Sequence, residues 1–210
     1  IGIESNSLNR KQYASAGRAI SLKAHYYNTV VRHIPGNTSF SSESDRSTYE
    51  WFRIRFAAEQ YFGKGRFRPG YYVEAVTSNQ PVFRNYMATL TNAPTFYPLQ
   101  DSKTLFMTNF RSFNFAAAGT RNVISLKRKL DLRLEGYVFM PFDHLEQNIR
   151  QETVVVNDFR EFFVAATSTL VYHSPIGPVS VALNYYDDDR NKFGALVHVG
   201  FLLFDRHPLE

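Results

Sequence analysis

Charged residues that alternate with apolar ones are the first candidates for chemistry in this chain. In KLDLRLEGYVFM, residues 129–140, one face begins with four ions of alternating sign and the other face is apolar throughout. Such ions could line an aqueous pore and select the ions that pass. They could also pair into a lattice that fills a narrow barrel, which we favour because eight strands enclose little free space. The predicted polar lining of this interior comprises Arg53, Arg55, Glu59, Lys129, Asp131, Arg133 and Glu135.

Enzymatic chemistry has no support in the motifs of the chain. It contains no Gly-x-Ser-x-Gly elbow, Walker loop or dinucleotide fingerprint. It has no cysteine, and its six histidines do not pair at metal-ligand spacing. The run Asp187-Asp188-Asp189 suggests calcium, but a solvated hairpin tip explains it better. We therefore predict no catalysis, cofactor or metal in this chain.

The elements that must position these ions are β-strands, because period-2 alternation of apolar and polar residues recurs almost from end to end. A short helix is predicted within residues 82–92, before Pro94. The connections between strands alternate between long and short, as in outer-membrane barrels. The alternation predicts eight strands: 17–33, 48–62, 66–78, 110–126, 129–140, 159–173, 177–187 and 192–204.

Which face of the sheet is inside decides between two classes of protein. A soluble antiparallel barrel would turn its apolar face inward and could bind a small apolar ligand in an aromatic-lined interior. A transmembrane barrel would turn the same face toward lipid, and three features favour it: ionic polar faces, long strands and charge-free apolar faces. The residues predicted to face lipid are Ile54, Phe56, Leu132, Leu134, Val179, Val181, Leu183, Val197, Val199 and Phe201.

Composition and charge limit the classes of partner that this chain could bind. The 210 residues suffice for one domain, and aromatic residues make up 16% of them, which favours strands. The net charge is +5, but lysine and arginine are dispersed along the sequence, so we predict no nucleic-acid binding. No apolar run is long enough for a transmembrane helix.

The C-terminal stretch LVYHSPIGPVSVALNYYDDDRNKFGALVHVGFLLF, residues 170–204, resembles the end of barrels in the bacterial surface antigen superfamily of outer-membrane proteins. There a Ser-Pro-x-Gly-Pro turn opens the penultimate strand and a Gly-containing strand closes the barrel. Residues 78–106, 129–142 and 170–188 are similar to the C-terminal region of Bacteroidetes-type patatin-like phospholipases. In those proteins a secreted lipase domain precedes the barrel.

This resemblance implies an up-and-down transmembrane β-barrel in the outer membrane of a Gram-negative bacterium. Barrels of this superfamily typically have sixteen strands, so the chain, one domain over residues 1–210, would be about half of one, a fragment of a longer protein. Leu209 and Glu210 could be a cloning scar. The barrel would anchor, and help to export or display, an upstream lipase domain that this chain lacks.

The resemblance also implies partners. The implied partners are outer-membrane lipid and the barrel-assembly machinery. The machinery would recognise a closing-strand signal at His198, Gly200 and Leu203. Asp205 departs from this signal, because an aromatic residue is expected there. The Arg-Gly-Phe/Tyr loop motif of the assembly and secretion barrels is absent, so insertase or secretion activity is not implied. An eight-stranded piece must close on itself, expose two edges or self-associate through them.

Overall fold

The computed structural model describes residues 1–37, 44–150, 152–156, 161–188, 190 and 192–200. The fold is all-β apart from one α-helix, α1 (Tyr86–Asn92), and a short 3₁₀ turn at Asp101–Lys103. The strands are β1 (Gly2–Asn6), β2 (Gly17–His33), β3 (Asp45–Tyr61), β4 (Phe67–Arg68), β5 (Gly70–Ser78), β6 (Phe115–Lys127), β7 (Leu130–Pro141), β8 (His144–Gln147), β9 (Thr153–Val156), β10 (Phe163–Ser174), β11 (Gly177–Tyr186) and β12 (Phe193–Val199).

Ten of these strands form one antiparallel sheet in the order β1-β2-β3-β5-β6-β7-β10-β11-β12, with the short β4 also paired to β6. Neighbours in the sheet are neighbours in the chain, as in an up-and-down meander, and β8 and β9 form a separate hairpin. Within the described residues, β1 and β12 end the sheet without pairing to each other. The prediction of an all-β antiparallel sheet is therefore confirmed, while closure into a barrel is not seen in this part of the chain.

Each of the eight predicted strands overlaps an observed strand, and β2 matches its predicted bounds. The largest difference is β6, which begins at Phe115 instead of residue 110 because residues 110–114 belong to the preceding connection. Prediction missed β1, β8 and β9, which are only four or five residues long and carry too few alternations to identify them. Residues 201–204 of the last predicted strand lie outside the described residues.

The connection between β5 and β6, residues 79–114, packs against one face of the sheet. Its Phe96 stacks on Phe139 of β7 with 5.7 Å between ring centroids, and its Phe110 meets Tyr186 of β11 edge-on at 6.1 Å. These four side chains are fully buried in the largest hydrophobic cluster. The aromatic residues of this long connection therefore cover one face of the sheet.

Helix α1 lies within this connection, inside the predicted range 82–92. It begins where the Asn85 side chain accepts a hydrogen bond from the backbone N–H of Ala88 at 2.9 Å, as an N-cap residue does. It buries Leu90 in a second cluster with Phe113 and Leu145 of β8. The helix thereby fixes the β8–β9 hairpin to the end of the sheet where the long connections lie.

Candidate functional site

From β5 to β11 the two faces of the sheet have opposite chemistry and opposite exposure. The burial pattern of β7 alternates along the strand, with Asp131, Arg133, Tyr137 and Phe139 buried while Leu134 and Val138 are exposed. Strand β11 alternates in the same way, with Val181 and Leu183 exposed while Ser180, Ala182 and Asn184 are buried. We call the two sides the apolar face and the covered face.

The apolar face runs across the sheet because the strand register aligns it. Opposite pairs such as Ala24 and Ile54, or Leu170 and Val181, lie on the same side in neighbouring strands. Arg18, Arg32, Arg46 and Glu50 lie on this side of β2 and β3. Between them, a band without Asp, Glu, Lys or Arg crosses the sheet at these described positions: Leu22, Ala24, Tyr26, Phe52, Ile54, Phe56, Tyr71, Val73, Ala75, Ala116, Ala118, Thr120, Asn122, Ile124, Leu132, Leu134, Gly136, Val138, Met140, Val164, Ala166, Ser168, Leu170, Tyr172, Val179, Val181, Leu183, Tyr185, Phe193, Ala195, Val197 and Val199.

The residues predicted to face lipid lie on this apolar face wherever the structure describes them. Leu132 and Val179 are half-buried, and Phe201 lies outside the described residues. Leu183 and Val197 are 65% and 71% exposed. The other exposed members of the predicted set are Ile54, Phe56, Leu134, Val181 and Val199.

The covered face holds an ionic cluster of Glu59, Arg121, Arg133 and Glu135, contributed by β3, β6 and β7. Arg121 lies opposite Glu135 in the register, and its guanidinium pairs with the Glu59 carboxylate. Its Nε donates to the Tyr137 hydroxyl at 2.7 Å. The four charges thus sum to zero within one buried group.

Arg133 is the most connected member of the ionic cluster and is only 5% exposed. Its Nε donates to Glu135 Oε1 at 2.9 Å, and Nη2 donates to the Tyr61 hydroxyl at 2.9 Å. Nη1 donates to the carbonyl oxygen of Ala14 at 2.6 Å. Because Ala14 belongs to the β1–β2 connection, Arg133 ties that connection to the covered face.

The other predicted lining residues are distributed more widely. Arg53 and Arg55 lie in the middle of β3, where Arg53 donates to Gln80 and Arg55 pairs with Glu74 at 2.8 Å. Asp131 lies near the opposite end of the covered face.

Lys129 does not lie on either face. It is exposed in the two-residue turn between β6 and β7, since β7 begins one residue later than predicted.

A cavity of about 440 Å³ adjoins the ionic cluster. Tyr13 from the β1–β2 connection and Gln100 from the β5–β6 connection line it, and the Tyr13 hydroxyl donates to Gln100 Oε1 at 2.6 Å. The same hydroxyl lies 2.5 Å from Ser180 Oγ of β11. Burial raises the pKa of Tyr13 above its ordinary value, so this hydroxyl stays protonated at neutral pH.

The arrangement holds structure together and shows no nucleophile activated by a base. The carboxylates of the ionic cluster are paired with arginines, and its phenols donate or accept within the same network. Ser125 and His173 both bind Asp131, so this hydroxyl and imidazole are not joined to each other as in a catalytic triad. The observed bonds support the lattice that we favoured over a selective pore.

Sequence reasoning missed Arg121, Tyr61 and Tyr137, which complete the ionic cluster. Arg121 was missed because residues 110–126 alternate poorly, so its face could not be assigned. The available signal was its place opposite Glu135 in the tight β6–β7 hairpin. Alternation places Tyr61 and Tyr137 on the polar faces of their strands, but it does not show that burial makes their hydroxyls partners for ions.

The described part of the chain contains no group of three or more His, Asp or Glu placed to hold a metal ion. Asp189 of the acidic run lies outside it. None of its helices is long and apolar enough to cross a membrane. Comparison with family models, curated proteins and solved structures finds no match for this chain.

Proposed function

We propose that this chain is an outer-membrane β-barrel domain whose apolar face contacts lipid and which anchors an upstream enzyme domain. The observation that carries the proposal is the combination of an exposed apolar face, uncharged over the band of positions named above, with an ionic cluster on the covered face. In water, apolar patches beyond a few hundred Å² are rare on monomeric proteins. In hydrocarbon the same face is favourable, whereas a lysine or arginine at its middle would cost about 2–4 kcal/mol.

Strand length and connection length also support a membrane-spanning sheet. A strand needs about 9–11 residues to cross the hydrocarbon layer. Strands β6, β7 and β10 have 13, 12 and 12 residues. The short connections, residues 128–129 and 175–176, lie at one end, and residues 34–44, 79–114 and 142–162 join strands at the other. This asymmetry is typical of outer-membrane barrels.

How such a domain could close depends on the edges of the sheet, formed by β1 and β12. Tyr13, in the connection between β1 and β2, contacts Ser180 of β11 and lies 6.1 Å from the His198 ring of β12. The two ends of the sheet order are therefore linked through side chains on the covered face. An open edge in a bilayer leaves backbone groups unpaired. We propose that further strands, a second copy or direct closure of the sheet pairs these backbone groups. The sixteen-stranded barrel of the superfamily and self-association remain predictions.

The identity of the upstream domain rests on the resemblance to patatin-like phospholipases, and assembly by the barrel-assembly machinery rests on the resemblance to surface antigen barrels. The absence of catalysis in this chain, like the signal at His198, Gly200 and Leu203, remains a prediction. Leu203 lies outside the described residues. The alternative, a soluble barrel with an apolar ligand inside, would require Leu183 and Val197 to face the interior.

A cysteine scan of β11 tests lipid contact directly, since the chain has no native cysteine. Val181→Cys and Leu183→Cys, each spin-labelled and reconstituted in phosphatidylcholine vesicles, should collide more often with oxygen than with a water-soluble nickel chelate. Ala182→Cys, on the covered face between them, is the matched control and should be poorly accessible to both. Greater accessibility of positions 181 and 183 to the nickel chelate would contradict the proposal.

A further inference from the structure

One end of the sheet gathers basic side chains that are dispersed in the sequence. The register brings the connections 7–16, 62–69, 128–129 and 175–176 to the same end. All of their basic residues, and those that flank them, are exposed except the half-buried Arg68. This basic rim consists of Arg10, Lys11, Arg18, Lys64, Arg66, Arg68, Lys127, Arg128 and Lys129.

Acidic residues do not balance the basic rim. Residues 7–18, 62–69, 126–131 and 172–178 are all described, and Asp131 is the only acid among them. Asp131 is 6% exposed and accepts hydrogen bonds from Ser125 at 2.7 Å and His173 at 2.9 Å. Arg10 and Arg68 approach it at 3.6 and 3.5 Å, so its charge is already neutralised inside the protein.

At the opposite end of the sheet, acidic and basic residues occur together. Its described acids include Asp45, Glu50, Asp143, Glu146, Glu152, Glu161 and Asp187. Its described basic residues include Arg32, Arg46, Arg84, Arg150, Arg190 and Lys192. Among the described residues, an unbalanced positive charge therefore lies at the short-connection end.

Exposed apolar side chains accompany the basic rim and continue the apolar face. Phe67 and Ile176, in or beside the short connections, are 56% and 71% exposed. Phe62, Leu126 and Tyr172 are also exposed at this end. Aromatic residues and long cations together are typical of the level where hydrocarbon meets headgroups.

We propose that the basic rim binds anionic phospholipid headgroups in the leaflet at the short-connection end. This inference rests on the proposed function, because it requires the apolar face to lie in hydrocarbon. The ring of cations then lies at headgroup level on the border of the apolar face, where each anionic headgroup can meet a lysine or arginine. Each basic residue near an anionic lipid surface raises the affinity for that lipid roughly fivefold at moderate salt.

Spin-labelled lipids measure this preference. The chain is reconstituted in phosphatidylcholine bilayers with trace spin-labelled phosphatidylglycerol or phosphatidylcholine, and the motionally restricted fraction of each is compared. We expect phosphatidylglycerol to be enriched about fivefold at 0.1 M salt. The preference should approach one at 1 M salt, where the Debye length is about 3 Å.

Matched variants locate the preference. Lys127→Gln, Arg128→Gln and Lys129→Gln together remove three exposed rim charges at the end of β6 and in the turn that follows it, and should lower the enrichment at least twofold. Arg32→Gln, Arg46→Gln and Arg150→Gln remove the same charge at the other end and should leave it unchanged. Circular dichroism confirms that each triple variant retains its strands.

The outcomes separate the two proposals. Equal restriction of both lipids would overturn the basic rim as a headgroup site and leave the membrane-spanning sheet standing. No restricted lipid at all would overturn the membrane-spanning sheet itself, and the headgroup site with it. Tight binding of a DNA oligonucleotide that the rim variant loses, without any lipid preference, would identify a different partner and overturn the headgroup site.

Discussion

Replacing Arg133 with methionine tests whether the ionic face is enclosed. Methionine keeps the apolar stem but removes the charge and the three hydrogen bonds to Glu135, Tyr61 and Ala14. Breaking a buried ion pair from one side costs about 3–5 kcal/mol, because the remaining charge stays buried. Glu135 keeps the Tyr137 hydroxyl and a weaker contact with Arg121 at 3.9 Å. We therefore expect the lower end, about 3 kcal/mol.

The assay is urea unfolding in detergent micelles followed by circular dichroism. With a slope of about 1–3 kcal/mol per molar urea, a loss of about 3 kcal/mol lowers the midpoint by roughly 1–3 M. Lys129→Met is the matched control, because alternation predicts the same role for Lys129 whereas the structure exposes it in a turn. Its effect should stay within about 0.5 kcal/mol.

A second substitution checks the cause. Adding Glu135→Gln to Arg133→Met should recover part of the lost stability, since the amide leaves no unpaired charge in the covered face. Equal, small effects of Arg133→Met and Lys129→Met would refute the reasoning, because they would mean that Arg133 is solvated in the folded state. A rescue of zero would show that the lost bonds to Tyr61 and Ala14 carry the whole effect.

Two further substitutions test packing and capping. Gly119→Ala should destabilise the sheet by about 1–3 kcal/mol, because its Cβ would lie 2.4 Å from a ring carbon of Tyr137. The control Gly136→Ala, whose Cβ meets nothing within 4 Å, should be neutral or stabilising in the same urea titration. Asn85→Ala should cost about 1 kcal/mol by removing the hydrogen bond that caps α1 at Ala88. Amide hydrogen exchange should become faster in α1 and stay unchanged in the sheet. An equal increase of the exchange rate in the helix and the sheet would contradict the capping role.

Much of the sheet could be predicted from local patterns. Alternation in KLDLRLEGYVFM assigns Leu134 and Arg133 to opposite faces whatever surrounds them, because successive side chains of a strand point to opposite sides. The same rule located the eight long strands and the uncharged apolar face. Which face would be covered is not a local property, since alternation is identical in a soluble and a membrane sheet.

Only the tertiary structure decided what covers the ionic face and which charges come together. Phe96 lies in a predicted connection and Phe110 at the start of a predicted strand, so neither position indicated that the two rings would pack over β7 and β11. Lys11, Lys64 and Lys129 are far apart in sequence, and antiparallel pairing places their turns at one end. The sequence by itself determined which side chains share a face, because that depends on neighbours two residues away. Burial and charge clustering depend on long-range pairing, which only the folded chain supplies.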